Sequence, residues 1–302
     1  MDPAVLRQLA IGALPPALGG LVVFGALLAA DRPRSPTLGA SLGKAPARPL
    51  GLLHCIAATG IFVSSFAVAF GGVRQPPQTA FDQLPYVALA ALGVGIASMM
   101  TRWGHWLGAA AGAAVGLVAL FLFKPALHEA TFAETAPLVV LTCILVFGGV
   151  AGASQSCRAC RAWIAALLLL IPAAGASAML TLGHYSLKLG QGAGVLAAML
   201  LGIALAATLW RKRSLGVGVG VIVAVLLGMV VVQGHLFAPT PRSLLYAVLT
   251  ALGFILPCLV DFAPKAPRLG VFPSAGIRLL LAVLPVATGV AIAAATRTSE
   301  AS

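Results

Sequence analysis

Apolar residues run through this 302-residue chain in long unbroken stretches, not in the alternation of half-buried strands. The runs fall at 5–30, 50–72, 85–100, 106–123, 137–153, 162–182, 192–210, 215–237, 243–262 and 276–295. Most match the length a helix needs to cross a bilayer, while 85–100 and 137–153 sit at the short limit. In lipid a continuous apolar run can satisfy its backbone only as a helix, because barrel strands would alternate lipid-facing and lumen-facing residues. The pattern predicts an all-α integral membrane protein, one polytopic domain over 1–302 with about ten transmembrane helices.

Composition agrees: 60% of residues are hydrophobic and 9% charged, with a mean hydropathy of +1.04. A soluble protein of this size could not bury so much apolar surface, so the surplus is expected to face lipid. Charge then sets direction. Alternate loops collect Arg32 to Arg48, then Arg102, Arg158 and Arg161, Arg211-Lys212-Arg213, and Lys265 with Arg268. The other set has only Arg74, Lys124, Lys188 and Arg242. Cations gather on the cytoplasmic side, so both termini are expected outside, in a bacterial cytoplasmic (inner) membrane. The formal charge of +12 needs no nucleic acid. No basic stripe or aromatic-interleaved segment suggests one, and anionic lipid headgroups are the expected partners.

Between the first two runs the cationic, Pro-containing stretch 31–49 reads as a cytoplasmic linker. The first run is read as a retained helix, since the charge order around it is the reverse of a signal peptide's. Gly183-His184 recurs at Gly234-His235, and Gly202 at Gly253, by one offset. This suggests a parallel hairpin repeat, 180–210 and 231–261. Gly190, Gly192 and Gly194 read as a flexible entry to the seventh run.

Candidate chemistry is sparse. Gly104, Gly108, Gly112 and Gly116 put a nearly side-chain-free stripe on one helix, either a packing seam inside the bundle or a self-association face. Ionisable groups at membrane depth usually mark transport pathways. Here Asp31 and Asp261 fall at cytoplasmic helix ends within reach of water, and Arg7 and Arg278 lie where they can snorkel. His54 is the best intramembrane candidate. Pro172 is the expected kink or unwound turn, and it puts Ser177, Thr181 and Thr142 on the list of hydroxyls that could line a midplane site. His128, Glu129, His184 and His235 share the outer side and form a weak metal-ligand set without helical i,i+3 or i,i+4 pairing. Cys157 and Cys160 have CxxC spacing beside Arg158 and Arg161, which would favour thiolates. No motif implies a cofactor, and no phosphate loop or nucleophile elbow argues for an enzyme.

Ten helices in about 300 residues is the size of small solute carriers such as the drug/metabolite transporters. The charge pattern gives the opposite orientation to theirs and no inverted repeat is visible, so no family is assigned. Three functions stay open: a permease for a small, weakly polar solute; a non-catalytic subunit of a larger membrane complex; and a metal-handling protein or enzyme using the outer histidines.

Overall fold

The structure, a computed structural model, describes residues 3–30, 49–73, 75, 77, 79, 81–100, 104–123, 132–183, 186–210, 213–237, 240–262 and 271–301. Every apolar run folds as helix, and no strand occurs among the described residues. The helices are α1 (Pro3–Ala30), α2 (Pro49–Phe70), α3 (Leu84–Met100), α4 (Gly104–Phe123), α5 (Phe132–Ala159) and α6 (Ala162–Leu182). They continue as α7 (Leu187–Leu209), α8 (Val217–Phe237), α9 (Pro241–Ile255), the short α10 (Leu259–Phe262) and α11 (Val271–Ala301). Among the described residues eight helices are long and apolar enough to cross a membrane, α9 and α10 counting as one. Over α4 the described apolar stretch, Gly108–Val118, is shorter than a crossing.

Local chemistry explains several helix ends. Gly71 and Gly72 close α2 at φ 77° and 119°, a region that L side chains avoid, and Gly72 N–H donates to the Ala67 carbonyl (2.7 Å). Ser186 caps α7 by accepting from Leu189 N–H, so the glycines at 190–194 lie inside that helix and not at a flexible entry. The linker 31–49 lies outside the described residues except for Pro49, which opens α2.

Prolines break the bundle at an unexpected place. α6 runs unbroken through Pro172, as α1 does through Pro15 and Pro16 and α11 through Pro285. Of the kink or unwound turn expected at Pro172, the continuous helix excludes the unwound turn; a break lies elsewhere. It falls at Pro257, where α9 tightens into a 3₁₀ turn, Leu256–Cys258, before α10. Lipid-depth prolines leave a helix intact where neighbours re-satisfy the freed backbone.

α8 is the axis of the bundle. Of its spanning window 89% is buried inside the protein, against 28% for α1 and for α11. The outer helices turn Leu14, Leu18, Val22, Phe272, Leu280 and Leu284 outward, and only lipid makes such a surface tolerable. This is the surface of an integral, multi-pass membrane protein.

Small residues let the helices touch backbone to backbone. A Cβ on Gly202 would overlap the Ala17 carbonyl oxygen and lie 2.8 Å from Leu21 N. One on Gly20 would overlap the Met199 carbonyl oxygen. α1 and α7 therefore cross at Gly20 and Gly202. Gly95 and Gly218 do the same for α3 and α8, where a Cβ on Gly95 would sit 3.0 Å from the Gly218 oxygen.

The α4 stripe faces inward. Gly108 meets Ser98 and Val221; Gly112 meets Val225 and Val150; Gly116 meets Val146, Thr142 and Met229. α3, α5 and α8 thus fill the face that a second copy would need, and the stripe serves as an internal seam. The surroundings of Gly104 lie outside the described residues. As for the sequence echo, Gly183 ends α6 as its C-cap, whereas Gly234 lies inside α8.

Candidate functional site

α9 carries the polar positions that matter most. Its start is fixed by a capping box: Thr240 and Ser243 each accept from the other's backbone N–H, with Pro241 in the first turn. Ser243, Tyr246, Thr250, Gly253, Pro257 and Asp261 then follow at intervals of three or four residues. That spacing puts them on one face, running the length of the helix and through α10.

At the α9 start this face opens on a small cleft among α6, α8 and α9. Ala176, Met179 and Leu180, then Val231, Gly234 and His235, and finally Ser243, Tyr246 and Thr250 line it. Its volume of about 10 Å³ is room for one water molecule. Ser243 Oγ lies 2.6 Å from His235 Nδ1 and 2.8 Å from the Thr240 carbonyl oxygen. The hydroxyl has one proton; donated to the carbonyl, it requires His235 to carry its own proton on Nδ1. Thr250 Oγ1 donates back to the Tyr246 carbonyl (2.8 Å), which leaves its lone pairs as acceptors. The lining is thus almost wholly apolar, with His235, Ser243, Tyr246 and Thr250 among the residues that form it.

Below the cleft the face closes. Val286 of α11 packs into the gap left by Gly175 and Gly253, and a Cβ on Gly253 would meet both Val286 (3.0 Å) and Pro172 (3.1 Å). A Cβ on Gly175 would overlap Val286 Cγ1 and force that side chain to shift, whereas at Gly253 the fit is only tight.

At the other end lies a buried ion pair. Arg278 of α11 holds both carboxylate oxygens of Asp261, Nη1 donating to Oδ2 at 3.1 Å and Nη2 to Oδ1. Nη1 also donates to the Pro257 carbonyl (3.2 Å), and Gln155 of α5 donates to Asp261 Oδ2 (3.3 Å). The Arg278 side chain is only 8% exposed and that of Asp261 21%. The expectation that Arg278 snorkels is corrected: its guanidinium is held inside by a carboxylate and a carbonyl. The α5–α6 and α7–α8 turns share this end, joined by Ala162 N–H donating to the Arg213 carbonyl (2.8 Å).

Thiols surround the pair. Cys258 Sγ donates to the Gly152 carbonyl (3.2 Å) and lies 4.0 Å from Ser156 Oγ. Cys157 and Cys160 are buried too. Burial pushes the Cys160 thiol up, and the Arg278 charge only partly offsets this. The expected thiolate is therefore corrected, since the cations at Arg158 and Arg161 are exposed to solvent. Cys160 should resist iodoacetamide at pH 8 in the folded protein and react at the rate of a free thiol once denatured, as peptide mass spectrometry would read.

The other residues singled out in sequence lie elsewhere in the bundle. His54 is buried and stacks on Phe24, ring centroids 5.4 Å apart. Ser177 donates across to the Gly190 carbonyl (2.7 Å), tying α6 to α7, and Thr181 donates to the Ser177 carbonyl (2.7 Å). Pro172 packs on Gly253, and Thr142 is fully buried against Gly116. None of Ser177, Thr181 or Thr142 lines the cleft. His128, Glu129 and His184 lie outside the described residues, and His235 is engaged with Ser243. Among the described residues no group of three metal-ligating side chains comes together. Sequence reasoning missed the α9 face, although the three-and-four spacing from Ser243 to Asp261 is its signal.

No protein-family model matches this chain, and no curated protein matches it either.

Proposed function

We propose that this chain is a carrier for a small, weakly polar solute, with ten crossings and both termini outside. The observation that carries this reading is that His235, Ser243, Tyr246 and Thr250 line one cleft together with Met179, Leu180 and Val231. A solute with an apolar body and one or two hydrogen-bonding groups suits that lining. The cleft has room for only one water, so the carrier reading requires α9 to part from α6 and α11. The Gly175–Val286–Gly253 contact is where that parting would occur, because α6 and α9 present only glycine to Val286 of α11 there. A docking-subunit role loses its best surface, since the glycines of α4 from Gly108 onward are filled from within.

Thr250, which lines the cleft, is the reporter. In a carrier, the thiol introduced by Thr250→Cys reacts with a membrane-impermeant reagent added from either side, in intact cells and in inverted vesicles, above the background of the native cysteines. Labelling from one side only, or from neither, removes the carrier reading.

A further inference from the structure

Three features stand outside the cleft: the buried thiols, the buried oxygens of Gln83 and Thr59 that lack a hydrogen-bond partner, and the Arg278–Asp261 pair. The thiols form no ligand group. The two orphan oxygens do not line the cleft and lie on different elements, Thr59 in α2 and Gln83 just before α3. The ion pair carries an argument, because three independent details meet in it.

First, it is costly for what it holds. An arginine and an aspartate taken out of water are no more stabilising than apolar residues of the same volume, so such a pair is a weak packing device. Second, it bolts together parts that would have to separate. Arg278 is on α11, Asp261 on α10 and Gln155 on α5, and the shared face of α9 leads from these residues to the cleft. Third, it sits on a hinge. Pro257 lacks the N–H that would continue the ladder, the chain tightens there into a 3₁₀ turn, and Arg278 holds the Pro257 carbonyl.

From these we infer that Arg278 and Asp261 form the gate on the side of the Arg158, Arg161 and Arg213 turns, shut in this conformation while the cleft lies toward the opposite side. This rests on the carrier reading and assigns the gate of its pathway. Breaking the pair frees α10 to swing about Pro257, and the pathway opens at the arginine side. Because the two conformations draw on one population, the cleft side closes as the gate side opens.

The test uses the full chain in its membrane. In the Thr250→Cys background, Asp261→Asn with Arg278→Gln removes both charges together, which spares the fold the penalty of one buried unpaired charge. Labelling of the introduced thiol from the arginine side is expected to rise roughly tenfold and labelling from the cleft side to fall. A purely structural pair would leave both rates unchanged or raise both, and either result overturns the gate while leaving the carrier standing. If the introduced thiol in the parent is not reached from both sides, the carrier fails and takes the gate with it. Should that double variant not elute as a single species in detergent, Asp261→Leu with Arg278→Leu, which brings no charge to desolvate, must shift the two rates in the same opposed directions; a parallel shift overturns the gate.

Discussion

Gly202→Val is expected to detach α1 from α7 and to leave little folded protein. The new side chain would start inside the Ala17 carbonyl and against Leu21 N, both backbone atoms that cannot rotate away. Overpacking a core ordinarily costs about 1–3 kcal/mol because side chains adjust, and a backbone clash has no such relief. The loss should therefore exceed about 3 kcal/mol, a large part of a marginal stability. Gly12→Val, where nothing lies within 4 Å of the new Cβ, is the control and should be nearly silent. Size-exclusion chromatography in detergent and the midpoint of thermal unfolding would separate the two. Equal behaviour would mean that α1 does not cross α7 at Gly202.

Removing one partner of the ion pair comes second. Arg278→Ala strips the carboxylate of Asp261 of its bidentate donor inside the bundle, and Asp261→Ala leaves a guanidinium that is 8% exposed facing a single carbonyl. An uncompensated buried charge costs about 3–5 kcal/mol, and the part exposure of Asp261 puts its own unpaired carboxylate at the low end. The double variant Arg278→Leu, Asp261→Leu should recover most of that loss, because two apolar side chains bring no charge to desolvate. Unfolding midpoints of the three variants would decide it; a double variant as damaged as the singles would mean that the pair is needed for packing itself.

How much of this was legible beforehand follows from length scales. The helices were readable because an apolar run in lipid has one way to satisfy its backbone, so runs such as 162–182 match their helix to the residue. Partners were not, since lipid tails are as apolar as the helix faces and hydropathy does not say which face meets protein. The regular glycine spacing at Gly108, Gly112 and Gly116 marked a side-chain-free stripe but not which residues lie against it. The tightest crossing belongs to Gly20 and Gly202, which share no local motif. Arg278 looked like an end residue able to snorkel. Its partner, Asp261, lies across an undescribed connection, and only the fold of α10 against α11 brings the carboxylate to it. Polar spacing along α9 was present in the sequence, but six residues spread over the length of a crossing do not look like a motif.

The pairing of α1 with α7 has a consequence for synthesis. Gly20 and its partner are separated by roughly 180 residues, and at about 5–20 residues per second a ribosome needs about 10–40 s to make the second after the first. For that interval the first helix waits in the bilayer with its contact strip bare. Whatever escorts nascent membrane chains has to hold it apart from strangers until the seventh helix arrives.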